Sequence, residues 1–110
     1  MVSVASTVAS GSFLGQIGSV AAVPIFTPVT SGLYRFNVAA ERLSSGYEAV
    51  FAAPGWTNDS GANSAQVALG ESGYYGTSFV VYATSGSPIM LGVGANIPIT
   101  YNFYYSLESL

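Results

Sequence analysis

The chain has 110 residues and carries only two arginines and five acidic side chains, a net charge of −3, with no lysine, histidine or cysteine. An average domain of this length holds about 27 charged residues. The composition excludes a basic nucleic-acid surface, zinc or thiol chemistry, Ser-His-Asp triads, Schiff-base lysines and P-loops, so no cofactor and no nucleic-acid partner are expected, and only carboxylate chemistry survives.

Strand patterns recur along the chain, each a short apolar run at period 2 bounded by turn residues. The first candidates are residues 2–9 and 19–26. In residues 33–40, Tyr34, Phe36, Val38 and Ala40 share one face, opposed by Arg35 and Asn37. Residues 38–43 have room for one helical turn, ended by Ser44-Ser45-Gly46. Strands follow at 48–53, 65–69, 78–83 and 89–93, with Pro54-Gly55 read as a turn. In the last strand, Ile99, Tyr101, Phe103, Tyr105 and Leu107 share a face; alternate members of its tyrosine group are expected in the core, with Tyr104, like Tyr82, a candidate for a contact surface. Turn signals such as Thr30-Ser31-Gly32, Asn58-Asp59-Ser60-Gly61 and Ser85-Gly86-Ser87-Pro88 separate these runs at the spacing of sandwiches and small barrels. About eight short strands predict one all-β domain, an antiparallel β-sandwich.

Half of the residues are hydrophobic and mean hydropathy is +0.47, yet every apolar run is broken long before the ~20 residues of a membrane helix. Met1 to Thr7 lacks the basic and leucine-rich regions of a signal peptide. The expectation is a chain used from its own Met1 in a reducing cytoplasm, with no membrane partner. Outward positions of the strands hold Ser, Thr, Asn, Gly and Ala where a monomeric sandwich normally places charge. A surface this poor in charge predicts burial against other subunits.

The five acids, Glu41, Glu48, Asp59, Glu71 and Glu108, share no motif, and a glycosidase needs two carboxylates ~5–9 Å apart. No catalytic residue and no metal ligand is assigned; the acidic loop at 58–61 reads as an Asx turn rather than a calcium site. Arg35 and Arg42 are candidates for ion pairs between subunits. Trp56, Tyr82, Tyr104, Asn58 and Asp59 are candidate ligand contacts, because aromatic faces beside short polar side chains suit a glycan. Trp56 also has the alternative of plugging the end of the core.

The stretch Phe26-Thr27-Pro28-Val29-Thr30-Ser31-Gly32-Leu33-Tyr34-Arg35-Phe36 resembles, with its proline one place earlier, the Phe-x-x-Pro-x-x-Gly-x-Tyr-x-Phe signature of tumour-necrosis-factor-like and complement-globular jelly rolls. Gly55-Trp56-Thr57-Asn58-Asp59-Ser60-Gly61-Ala62 and the closing Leu107-Glu108-Ser109-Leu110 are similar to phrases of small jelly rolls in tailed-phage virion proteins. The likeness spans residues 17–110, with gaps, and implies a jelly-roll domain at 19–110; the segment from Val2 to Gly18 has no counterpart, so residues 1–18 read as an N-terminal strand or arm. The resemblance implies a homotrimeric jelly roll whose last strand packs near the threefold axis, which makes Tyr101, Phe103, Tyr105 and Leu107 candidates for the oligomer interface. It also implies a non-enzymatic virion protein, assembled in the host cytoplasm. The expected role is a capsid decoration or head-fibre subunit that binds the major capsid protein or other virion proteins. The alternative is a tail-fibre knob that recognises host-surface glycans.

Overall fold

The computed structural model describes residues 6–44, 50–69, 74–95 and 99–110. Among the described residues it is an all-β sandwich of nine strands: β1 (Ser6–Ile17), β2 (Val20–Phe26), β3 (Gly32–Arg42), β4 (Phe51–Asn58), β5 (Gly61–Ser64), β6 (Val67–Ala68), β7 (Tyr74–Ala83), β8 (Ile89–Gly94) and β9 (Thr100–Ser109). One sheet has the order β1-β9-β3-β7 and the other β2-β8-β4-β5, with the short β6 beside β4. All pairings are antiparallel. The partners β1·β9, β2·β8, β3·β7 and β4·β5 are those of one long hairpin, tip at Asp59-Ser60, rolled up on itself. That is the jelly-roll order.

The core follows the period-2 pattern of β3 and β9. Tyr34, Phe36, Val38 and Ala40 are buried, as are Tyr101, Phe103 and Leu107, and Leu91 and Ile89 meet them from the facing sheet. Phe36 stacks on Phe79 with ring centroids 4.8 Å apart. The Tyr101 hydroxyl lies inside the core, donates to the Gly18 carbonyl oxygen at 2.6 Å, and is pushed up to about 12 in pKa by burial.

Three local expectations are corrected. Residues 38–43 do not turn into a helix: β3 continues to Arg42, because its ladders to β7 and β9 claim those backbone groups. Pro54-Gly55 lies inside β4 rather than ending it. Beside β4 on that side, β6 pairs with residues 51–52 and β5 with 55–58, so the missing Pro54 N–H falls in the gap between two partners. Its carbonyl is still used, accepting the Ala65 N–H at 3.2 Å. The first strand runs to Ile17, well past residue 9, by absorbing register shifts between Thr7 and Ala9 and between Phe13 and Gln16. Gly11 allows this because the Tyr105 ring lies over it; a Cβ there would sit 2.8 Å from Tyr105 Cζ. Residues 2–5 of that expected strand, Glu48, Glu71 and the turn signals at Gly46, Ser72-Gly73 and 96–98 lie outside the described residues.

Candidate functional site

The outer face of the β1-β9-β3-β7 sheet is built by the residues that alternate with the core. On β3 these are Leu33, Arg35, Asn37, Ala39 and Glu41, flanked by Tyr82, Val80, Ser78 and Gly76 on β7 and by Glu108, Ser106, Tyr104 and Asn102 on β9. The polar groups of this face bond to one another. Arg35 Nη1 lies 3.7 Å from Glu108 Oε1, and the same oxygen accepts the Asn37 amide at 2.7 Å. Asn37 also donates to Ser106 Oγ at 3.2 Å, and Asn102 donates to Glu41 Oε1 at 3.2 Å. Between these clusters, Asn37, Ala39, Tyr104 and Ser106 border an open hollow of about 260 Å³. Toward the other end, Leu33, Val80 and Tyr82 are 50%, 48% and 41% exposed and form an apolar strip against the sheet edge.

The candidate interface residues divide. Tyr101, Phe103 and Leu107 are 0% exposed in the protomer's own core, so their side chains are not offered to another subunit. The inward parity of β9 puts them there, and the outward partners of the same strand, Tyr104 and Ser106, take the surface instead. Tyr105 is half-buried against Phe13, 5.7 Å between centroids. Arg35 is on the outer face with its partner Glu108 in the same chain. Arg42 keeps the inward parity of Ala40; both its terminal nitrogens are buried and donate to no partner among the described residues.

The candidate ligand contacts are not gathered. Tyr82 stands opposite Leu33 and Tyr104 opposite Ala39, six residues and roughly 20 Å apart along the sheet. Trp56 is on the other sheet, half-buried and packed on the core, which is the structural role weighed for it above. Asn58 is occupied in an Asx turn, its Oδ1 accepting the Ser60 N–H at 2.9 Å, and Asp59 is exposed at that tip. The described acids are dispersed as well. Glu41 and Glu108 lie six β3 positions apart on the outer face, roughly 20 Å. Asp59 is in the opposite sheet's hairpin. Neither separation suits a paired-carboxylate reaction, and among the described residues no three acids converge on a metal position.

A feature without a sequence signal is a groove of about 690 Å³ on the outside of the second sheet. Its floor is made of Ala22, Ala53 and Gly55, with Met90, Ser64 and Gln66 around it. It depends on a bulge of β2 over Gly92, where an added Cβ would lie 2.9 Å from Ala22 N and Val20 O. Among the described residues, no aromatic ring and no formal charge lines it.

No protein-family model matches the chain, and no curated protein does. Among solved structures, the chain is similar to a "Family 16 Carbohydrate Binding Module-2", with a TM-score of 0.49 and 10% identity over 84% of this chain and 67% of that one, a likeness of fold alone.

Proposed function

We propose that the protein is a non-enzymatic structural subunit of a phage particle, a capsid-decoration or head-fibre protein that associates with its own copies and with the particle surface. The observation that carries this reading is the outer face of the β1-β9-β3-β7 sheet. Its charged and amide groups are hydrogen-bonded or paired within the face, Arg35 with Glu108, Asn37 with Glu108 and Ser106, and Glu41 with Asn102. Water would satisfy such groups on a free surface, whereas a covered surface needs them paired internally. Beside them Leu33, Val80 and Tyr82 present apolar area, and burying it yields about 25 cal/mol per Å² before ordering costs. The phage setting rests on the sequence phrases around Gly32, Trp56 and Leu107.

Mass spectrometry of purified particles from the phage genome that encodes the chain tests the setting. The protein is expected at a fixed ratio to the major capsid protein. Its absence from intact particles would sink the virion role.

A further inference from the structure

A two-sheet sandwich has four edges, here β1, β7, β2 and β5, and each exposes unpaired backbone groups that invite a strand from another chain. Three of them are protected. β1 is broken by two register shifts, and Gly15 kinks it with a φ of 60°. β2 carries two further shifts and Pro24, which has no N–H to offer. β5 is only four residues long.

β7 has none of these guards. Its register with β3 runs without a shift from Gly32↔Ala83 to Glu41↔Tyr74. Its ten residues include no charge and no proline. Among the described residues no strand pairs with its other side. At about 3.4 Å per residue it is an uninterrupted ladder ~34 Å long. Val80 and Tyr82 stand exposed along it.

We infer that β7 pairs antiparallel with β7 of a second copy across a two-fold axis perpendicular to the sheet, giving one eight-stranded sheet. The inference rests on the self-association proposed above and names the contact. A second copy fits because an uncharged strand has nothing to repel its own image. Pairing also closes: the outer edges of the joined sheet are then two guarded β1 strands, so a dimer forms and not a fibre. The symmetry fixes the register further. An axis perpendicular to the sheet keeps outer faces with outer faces, so facing residues have the same parity, and one residue must face its own copy. Centring the pair on Ser78, an outward-facing residue at mid-strand, overlaps positions 74 to 82 of the two ten-residue strands. Val80 then stands opposite the bare Gly76 of the second copy, and the Phe79 ring keeps its stack on Phe36.

The chain has no cysteine, so single cysteines report the contact directly. Ser78→Cys under mild oxidation is expected to give a covalent dimer, since a disulfide requires Cα atoms about 4.4–6.8 Å apart. Ser12→Cys, on the guarded β1 edge, is expected to stay uncrosslinked. Val80→Lys, with its fold checked by circular dichroism, is expected to reduce the solution mass to one chain. An oligomer that survives Val80→Lys, with Ser78→Cys uncrosslinked, overturns the edge contact and leaves self-association standing. A wild-type chain that is monomeric removes both.

Discussion

The Tyr101 hydroxyl donates a 2.6 Å hydrogen bond to the Gly18 carbonyl oxygen, joining the start of the last strand to the turn between the first two. Gly18 holds a φ of 73°, and its N–H donates to the Ile99 carbonyl at 3.1 Å. One end of the sandwich is therefore tied at a residue pair 83 positions apart in sequence. A buried phenol with a single acceptor is stable only while it keeps its proton.

Burial of that hydroxyl, away from water, gives the fold a pH dependence of known sign. In the unfolded chain Tyr101 ionises near pH 10, whereas in the fold its pKa is pushed up to about 12. The stabilisation is complete below pH 10 and is lost as pH rises from 10 toward 12, because only the unfolded state then releases the proton. The loss is on the order of 2 kcal/mol. Tyr101→Phe is expected to be about 1–2 kcal/mol less stable at pH 7, leaving the Gly18 carbonyl without its donor. Its decline between pH 10 and 12, followed by urea unfolding, is expected to be shallower than that of the wild type. Parallel profiles would contradict the assignment.

Gly92 is a packing requirement. A methyl at this position meets backbone atoms of β2 at 2.9 Å, and backbone yields less readily than a side-chain end. Gly92→Ala is expected to lower stability by about 1–3 kcal/mol and to reshape the groove beside Ala22. Gly55→Ala, where the nearest atom is Met90 Cβ at 3.4 Å, is the milder control. Equal unfolding midpoints for the two variants would show that the β2 bulge moves freely.

Trp56 separates a structural role from a recognition role. Half-buried on the core, it is expected to cost about 3 kcal/mol or more when cut to alanine. Thermal unfolding of Trp56→Ala checks this. A variant of unchanged stability that loses binding to host-surface glycans would return the tryptophan to a ligand site.

How much was legible in the sequence depends on where each signal comes from. Tyr34, Phe36, Val38 and Ala40 were readable as one buried face because side-chain direction in a strand is a local property. The Asn58–Gly61 hairpin tip was readable for the same reason, through its Asx turn and the positive φ of Gly61. Pro54 was misread as a turn because its tolerance depends on the gap between β5 and β6, a relation between strands that no local pattern contains. The candidate sites fared likewise. The period-2 pattern put Tyr101, Phe103 and Leu107 on one face, offered to the core by the alternation and to a threefold contact by the resemblance, and the facing sheet decides for the protomer's own core. The Asn37 network and the unguarded β7 edge arise from strand order, which the sequence leaves open until the sheet is assembled.

The internal pairing on the outer face predicts that its polar groups matter more to assembly than to folding. The Arg35–Glu108 pair is partly exposed, with side chains 40% and 24% accessible, so it adds little to the stability of a free protomer. Arg35→Ala is expected to shift chemical unfolding by less than about 1 kcal/mol. If the particle covers the face, Glu108 then loses its cation in that contact and binding to the particle weakens. Loss of folding without loss of assembly would be the opposite result.

The most direct test of the account is the mass of the purified wild-type chain in solution, measured by light scattering across the micromolar range. Self-association predicts a mass that is a multiple of 11.3 kDa and, with β7 as the contact, twice that value. A mass of 11.3 kDa at every concentration would contradict it, because the unguarded β7 edge would then be free in water.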